Sequence, residues 1–78
     1  SAVKELIDLI AKKLVAHPDE VQVTVTEGEE GETIELRVNP EDMGRVIGKA
    51  GRTAKAIRAL VNAAASKAGK RVSLQIVE

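Results

Sequence analysis

Gly48, Lys49, Ala50 and Gly51 stand together in the run GRVIGKAGRTAKAIRAL, and their types and spacing suit the binding of a phosphate. Glycine at both ends lets the backbone approach an anion without side-chain obstruction and adopt positive φ where a turn needs it. A helix beginning near Arg52 aims its unpaired N–H groups at the same spot. Lys49 adds a positive charge at the tip, and Arg52, Lys55 and Arg45 extend it along the path of a polyanion backbone. Gly-x-x-Gly by itself also makes ordinary interhelical turns, so its weight rests on what surrounds it. Nucleotide hydrolysis is not indicated. A Walker A loop has the form Gly-x-x-x-x-Gly-Lys-Ser/Thr after a strand, whereas Gly44 and Gly48 enclose only three residues, Ala50 follows Lys49, and the preceding segment reads as a helix. A dinucleotide fingerprint fails on the same context.

No other grouping offers catalysis. His17, the single histidine, precedes Pro18 at a helix end, where a cation meets the negative end of the helix dipole, and a capping role is expected. Glu27, Glu29, Glu30 and Glu32 lack the spacing of a calcium loop and read as a solvated turn. With Cys 0 there is neither disulfide nor thiolate metal cage, and no metal or cofactor is expected. Aromatic content of 0% removes the stacking platforms on which many nucleic-acid modules rely. The formal net charge of zero hides an asymmetry. Residues 1–42 hold four bases against eleven acids, and residues 43–78 eight bases against one acid, so the halves carry −7 and +7. A basic half containing the glycine loop is the local footprint of a polyanion site.

The elements that must hold this loop follow from periodicity. Val3, Leu6, Ile7, Ile10 and Leu14 recur at helical spacing, and the helix should stop near His17, ahead of Pro18. Val21, Val23 and Val25 alternate with polar residues, as do Ile34, Leu36 and Val38, on either side of a Gly28 to Gly31 turn, which makes a hairpin. Asn39 reads as an N-cap, with Pro40 at the first helical position and Glu41 and Asp42 complementing the dipole of a short helix that runs to about Ile47. After the loop, Ile57, Leu60, Val61, Ala64 and Ala68 form the apolar stripe of a longer helix that Gly69 ends, and Met43 is read as core. Val72, Leu74 and Ile76 alternate in a last strand. The order is helix, strand, strand, helix, helix, strand. A strand, two helices and a strand form a crossover, which favours parallel pairing around Leu36 and Leu74 and a mixed three-stranded sheet. All three helices should cover one face in an α+β, two-layer domain. At 78 residues the chain is a single module, and no apolar run reaches the roughly 18 to 20 residues of a membrane span.

Val46-Ile47 before the loop and Ile57 after it, between two helices that lie between two strands, give the sequence a resemblance to the KH domain family. Because the leading helix and strand precede the core, it resembles the type II arrangement, with an extension over about 1–27 and a KH core over about 31–78. More narrowly, a lone domain with NPEDMGRVIGKAGRTAKAIRAL at its centre is similar to small bacterial KhpA-type RNA-binding proteins. The resemblance implies a non-enzymatic, cytoplasmic module that grips about four nucleotides of single-stranded RNA, with single-stranded DNA also compatible. It implies post-transcriptional control, self-association as a homodimer, and partnership with a larger KhpB-type (Jag-like) KH protein. On that pattern Gly48, Lys49, Ala50 and Gly51 contact phosphates, Arg52, Lys55 and Arg45 add charge, and Gly44, Ile47 and Ala54 line an apolar groove for bases. The alanine stretch Ala63, Ala64, Ala65 and Ala68 offers a dimer surface. Two alternatives stand beside this reading: a KH-fold module that uses the groove or the alanine face for a protein partner, and an engineered KH scaffold.

Overall fold

A computed structural model describes all residues from Ser1 to Glu78. Helix α1 (Ala2–Leu14) is capped by the Ser1 hydroxyl, which accepts from the Lys4 N–H at 3.2 Å, and it buries Val3, Ile7 and Ala11. It ends earlier than Pro18 alone dictates. Val15 is extended, although its N–H still reaches Ala11 O, and the next two N–H groups, of Ala16 and His17, donate to Asp42 at 2.9 and 3.0 Å. A carboxylate from a distant segment thus takes the donors that would have continued the chain's local structure. Asp42, only 1% exposed, therefore ties down the end of α1 and does not simply complement the dipole of the helix that follows it. His17 likewise does not cap α1, whose C-cap is Val15; it stands at the N-cap position of a 3₁₀ turn over Pro18–Glu20, without a side-chain capping bond. Its ring lies three positions beyond Leu14, with Nε2 3.1 Å from Glu41 Oε1 and Nδ1 3.7 Å from Glu20 Oε2.

Strands β1 (Gln22–Gly28) and β2 (Gly31–Arg37) pair antiparallel across the two-residue turn Glu29-Glu30, with Val23 opposite Leu36 and Val25 opposite Ile34. Strand β3 (Val72–Val77) pairs parallel to β2, with Ile34 beside Leu74 and Leu36 beside Ile76. The sheet is mixed, in the order β1-β2-β3. Alternation sends Ile34, Leu36 and Leu74 into the core and leaves Thr24, Glu35 and Gln75 on the other face. Glu32 shares the inward parity of Ile34 and is only 8% exposed, so the acidic cluster is not uniformly solvated. Its carboxylate meets Lys70 Nζ at 2.9 Å.

A 3₁₀ turn over Pro40–Asp42, capped by Asn39 Oδ1 accepting from Glu41 N–H at 2.8 Å, leads into α2 (Met43–Ile47). After the glycine loop, α3 (Arg52–Lys67) runs back across the sheet and against α1. It ends in a Schellman arrangement, with Lys70 N–H on Ala65 O and Gly69 N–H on Ser66 O. Its buried stripe is Ala54, Ile57, Val61 and Ala65. Leu60 is 53% exposed and Ala68 is exposed, because each sits one helical step off the line through Ile57, Val61 and Ala65. Ala65 belongs to the core and Ala64 is half-buried, so the outward stripe is Ala56, Leu60 and Ala63. With Ile7, Ile34, Leu36, Val46 and Val61 sealed from water, and each such side chain worth about 1.5–3 kcal/mol on burial, aliphatic packing holds the domain together without any aromatic ring. Met43 packs at the edge of that core. The result is the α+β, two-layer domain that the periodicities predict.

Candidate nucleic-acid interface

Helix α2 closes with Gly48 N–H on Gly44 O at 2.9 Å, and at Gly48 the backbone turns to φ 77, ψ 170. Only glycine adopts that region readily. The next residues form a single tight turn, with Gly51 N–H on Gly48 O at 3.1 Å, Ala50 at φ 55, ψ 24 and Gly51 at φ 75, ψ 13, before Arg52 enters helical geometry. A Cβ placed on Gly48 would collide first with the Thr53 hydroxyl oxygen and would lie 2.7 Å from Thr53 Cβ and 2.9 Å from Thr53 N, closer than real atoms pack, whereas one on Gly51 would meet nothing within 4 Å. The two glycines thus differ: Gly48 is required by both conformation and space, Gly51 by conformation alone. Ala50 adopts a left-handed conformation that costs a residue with a Cβ about 1–2 kcal/mol.

Gly51 has no side chain with which to cap α3, so no side-chain oxygen covers the helix start. A positive dipole end is left facing the loop. Lys49, Arg52 and Lys55 are exposed around it and enter none of the chain's ion pairs. Arg45, on α2, is 61% exposed and lies 3.7 Å from Asp42 Oδ1, so part of its charge is already answered. Burial alone pushes the Asp42 carboxyl up, but the Ala16 and His17 N–H groups, with the charges of His17 and Arg45, outweigh it and hold it below the usual carboxylate range. Asp42 is therefore a fixed anion at the root of α2.

The three positions expected to floor a groove are not equivalent. Gly44 is exposed, Ile47 half-buried, and Ala54 only 4% exposed, so Ala54 lies mainly in the core and Gly44 and Ile47 form the accessible part. Arg58 turns away from the loop: its guanidinium donates to Leu74 O at 3.3 Å, binding α3 to β3. None of the four surface hollows is lined by a loop residue, and the largest, about 530 Å³, lies between the start of α1 and the hairpin, beside Ser1, Lys4, Val25 and Lys70. Lys49 and Ala50 are exposed at the tip of the loop, and Gly48 and Gly51 are half-buried at its two ends. Thr53, against Gly48, is a neighbour that the spacing of charges and glycines does not single out.

Comparison with known proteins identifies the family. The family described as "KhpA/KhpB, KH domain" matches residues 4–76. A Clostridium acetobutylicum protein named "RNA-binding protein KhpA" is 57% identical over 74 residues, covering 95% of this chain and 99% of the relative. The Aquifex aeolicus protein of the same name is 51% identical over 78 residues, covering 100% of this chain and 99% of the relative, and the Clostridium perfringens one is 55% identical over 74 residues. No helix is long and apolar enough to cross a membrane. A family match along nearly the whole chain, with relatives more than half identical end to end, establishes that this protein belongs to the KhpA/KhpB KH-domain family.

Proposed function

We propose that this protein binds single-stranded RNA without catalysing a reaction, gripping about four nucleotides through Gly48-Lys49-Ala50-Gly51 between α2 and α3. The observation that carries the reading is the conjunction at the loop: a backbone bend fixed at Gly48, a helix start with no side-chain cap, and three unpaired cations, Lys49, Arg52 and Lys55. Gly44 and Ile47 supply the apolar rest for bases, and the names of the relatives support RNA as the polymer. Single-stranded DNA fits the same phosphate geometry, and competition between the two decides the preference. Without aromatic stacking, a single domain binds in about the micromolar range. Self-association, or pairing with a KhpB-type KH protein, strengthens such binding by avidity. The role that follows is post-transcriptional control in the cytoplasm.

The test is fluorescence anisotropy with labelled single-stranded RNA of mixed sequence, beside the double variant Lys49→Asp/Ala50→Asp. Binding by the parent and its loss in the folded variant is the expected result. With three or four phosphates neutralised, log affinity should fall with log salt at a slope near −2 to −3, at about −0.7 per contact for single strands. A second reading is favoured by one observation: Leu9 and Leu60 are exposed by 55% and 53%. They suit a protein-interaction module. Absence of RNA binding in low salt, with salt-insensitive capture of a second copy or of a KH-domain partner, would select it.

A further inference from the structure

We propose that Thr53 is the positioning residue of the loop, the side chain that keeps Gly48 in its bent geometry; the inference rests on the phosphate-binding reading of that loop. Gly48 at φ 77, ψ 170 occupies a region that persists only where surrounding structure over-determines it. The hydrogen bonds at its two ends, Gly48 N–H to Gly44 O and Gly51 N–H to Gly48 O, fix the start and the close of the bend. Both bonds fasten atoms of Gly48 itself, and Thr53 adds the third restraint, a side chain packed against the bend. A methyl added to Gly48 would meet the Thr53 hydroxyl oxygen first, then Thr53 Cβ at 2.7 Å and Thr53 N at 2.9 Å, so the Oγ1 branch and the first turn of α3 pack against the α carbon of the first glycine.

The residue type suits the task. A β-branched side chain carries two heavy branches on Cβ and few rotamers, so it makes a stiff buttress. Thr53 is half-buried between the exposed Arg52 and Lys55, and its hydroxyl is not sealed in as an unsatisfied polar atom. Because Gly51 stands at the N-cap, the hydroxyl has no capping duty to explain its presence. Shape is then what the position requires. Removing the branches takes away the steric limit on Gly48 and leaves only those two hydrogen bonds to hold the bend against the wide backbone range open to glycine.

The experiment compares Thr53→Ala, Thr53→Val and Thr53→Ser. Valine keeps both branches without the hydroxyl, alanine removes both, and serine keeps one branch. Expected for Thr53→Ala is faster hydrogen exchange and greater mobility at the Gly48–Gly51 amides in the RNA-free protein, with the far-UV spectrum and melting of the core unchanged. Its RNA affinity should fall roughly tenfold, the loss when the competent geometry is populated about a tenth of the time, and the salt slope should stay that of the parent because no charge was removed. Thr53→Val should behave as the parent and Thr53→Ser should lie between. An alanine variant whose loop amides are as protected as the parent's overturns the proposal, as does a valine variant that fails like alanine, which would assign the effect to the hydroxyl. If the parent itself binds no RNA, the RNA reading falls alone, since the amide exchange comparison still decides the role of Thr53.

Discussion

Lys70 Nζ lies 2.9 Å from the carboxylate of Glu32, thirty-eight positions earlier in the chain, and that carboxylate is nearly closed to water. The contact fastens the hairpin end of β2 to the turn joining α3 and β3. The hydrogen bond to Glu32 raises the Lys70 ammonium above its ordinary pKa, the Glu32 charge adds to this, partial burial opposes it, and Glu27 contributes a little more. A raised folded-state pKa means that the stabilisation is complete below the unfolded value, about 10.4, and is lost as pH rises through the folded one. Denaturant midpoints should therefore hold to about pH 10 and then fall. Lys70→Met should be less stable at neutral pH, since it strands the Glu32 charge, and should show a shallower alkaline decline. An identical alkaline limb in parent and variant would refute the coupling.

Asp42 works at the opposite end of the pH scale. Burial raises its carboxyl, but the Ala16 and His17 N–H donors together with the charges of His17 and Arg45 outweigh this and hold it below the usual range. A depressed folded-state pKa gives stability that is present above the unfolded value, about 3.9, and lost as pH falls through the folded one. Acid titration of the parent should show unfolding steepening below about pH 4. Asp42→Asn presents one acceptor where two N–H donors converge. It should lower the melting temperature at pH 7 and flatten the acid limb, with mobility appearing first at residues 15–17. Retention of a parent-like acid limb by this variant would show that another carboxylate governs it.

These two carboxylates also mark the limit of what the sequence discloses. The element order, the hairpin register and the parallel closing strand are legible because each rests on local alternation or on the geometry of a crossover. Asp42 and Glu32 are not, since their partners lie 25 to 38 positions away and nothing in the neighbouring residues names them. The inward parity of Glu32 with Ile34 was a usable signal, masked by the acidic residues beside it. Leu60 misleads in another way: hydrophobicity places it on the stripe, while the phase of Ile57, Val61 and Ala65 places it outside. At the loop, the glycines and cations are legible by type. Which glycine is crowded, and by Thr53, depends on how α3 folds back, which spacing does not contain.

That crowding separates the loop substitutions. Gly48→Ala must accept a forbidden backbone region and a clash with Thr53, so it should cost more than about 1–3 kcal/mol and abolish RNA binding. Gly51→Ala meets open space and carries only the left-handed penalty, about 1–2 kcal/mol. Ala50→Gly relieves such a penalty, offset by about 0.4–1 kcal/mol from a more flexible unfolded chain, and should come out neutral to slightly stabilising. Thermal melts of the three variants give the ranking. Equal costs at Gly48 and Gly51 would mean that Thr53 yields freely.

The outward face of α3 provides the last test. Val61 is 1% exposed and Leu60, its neighbour in sequence, is 53% exposed, so one residue separates core from surface. Val61→Ala should cost about 2 kcal/mol through lost burial and an unfilled space. Leu60→Lys should leave the stability of the single domain within about 0.5 kcal/mol, as surface substitutions do. Its effect should instead fall on association. If the stripe of Ala56, Leu60 and Ala63 joins two copies, a lysine there places like charges at the centre of the contact and shifts sedimentation to the monomer. Affinity for an RNA long enough to engage two loops should then drop, while affinity for a four-nucleotide ligand stays that of the parent. A variant that sediments as the parent does would remove this face from the interface and turn attention to Leu9 on α1, the other exposed large aliphatic residue.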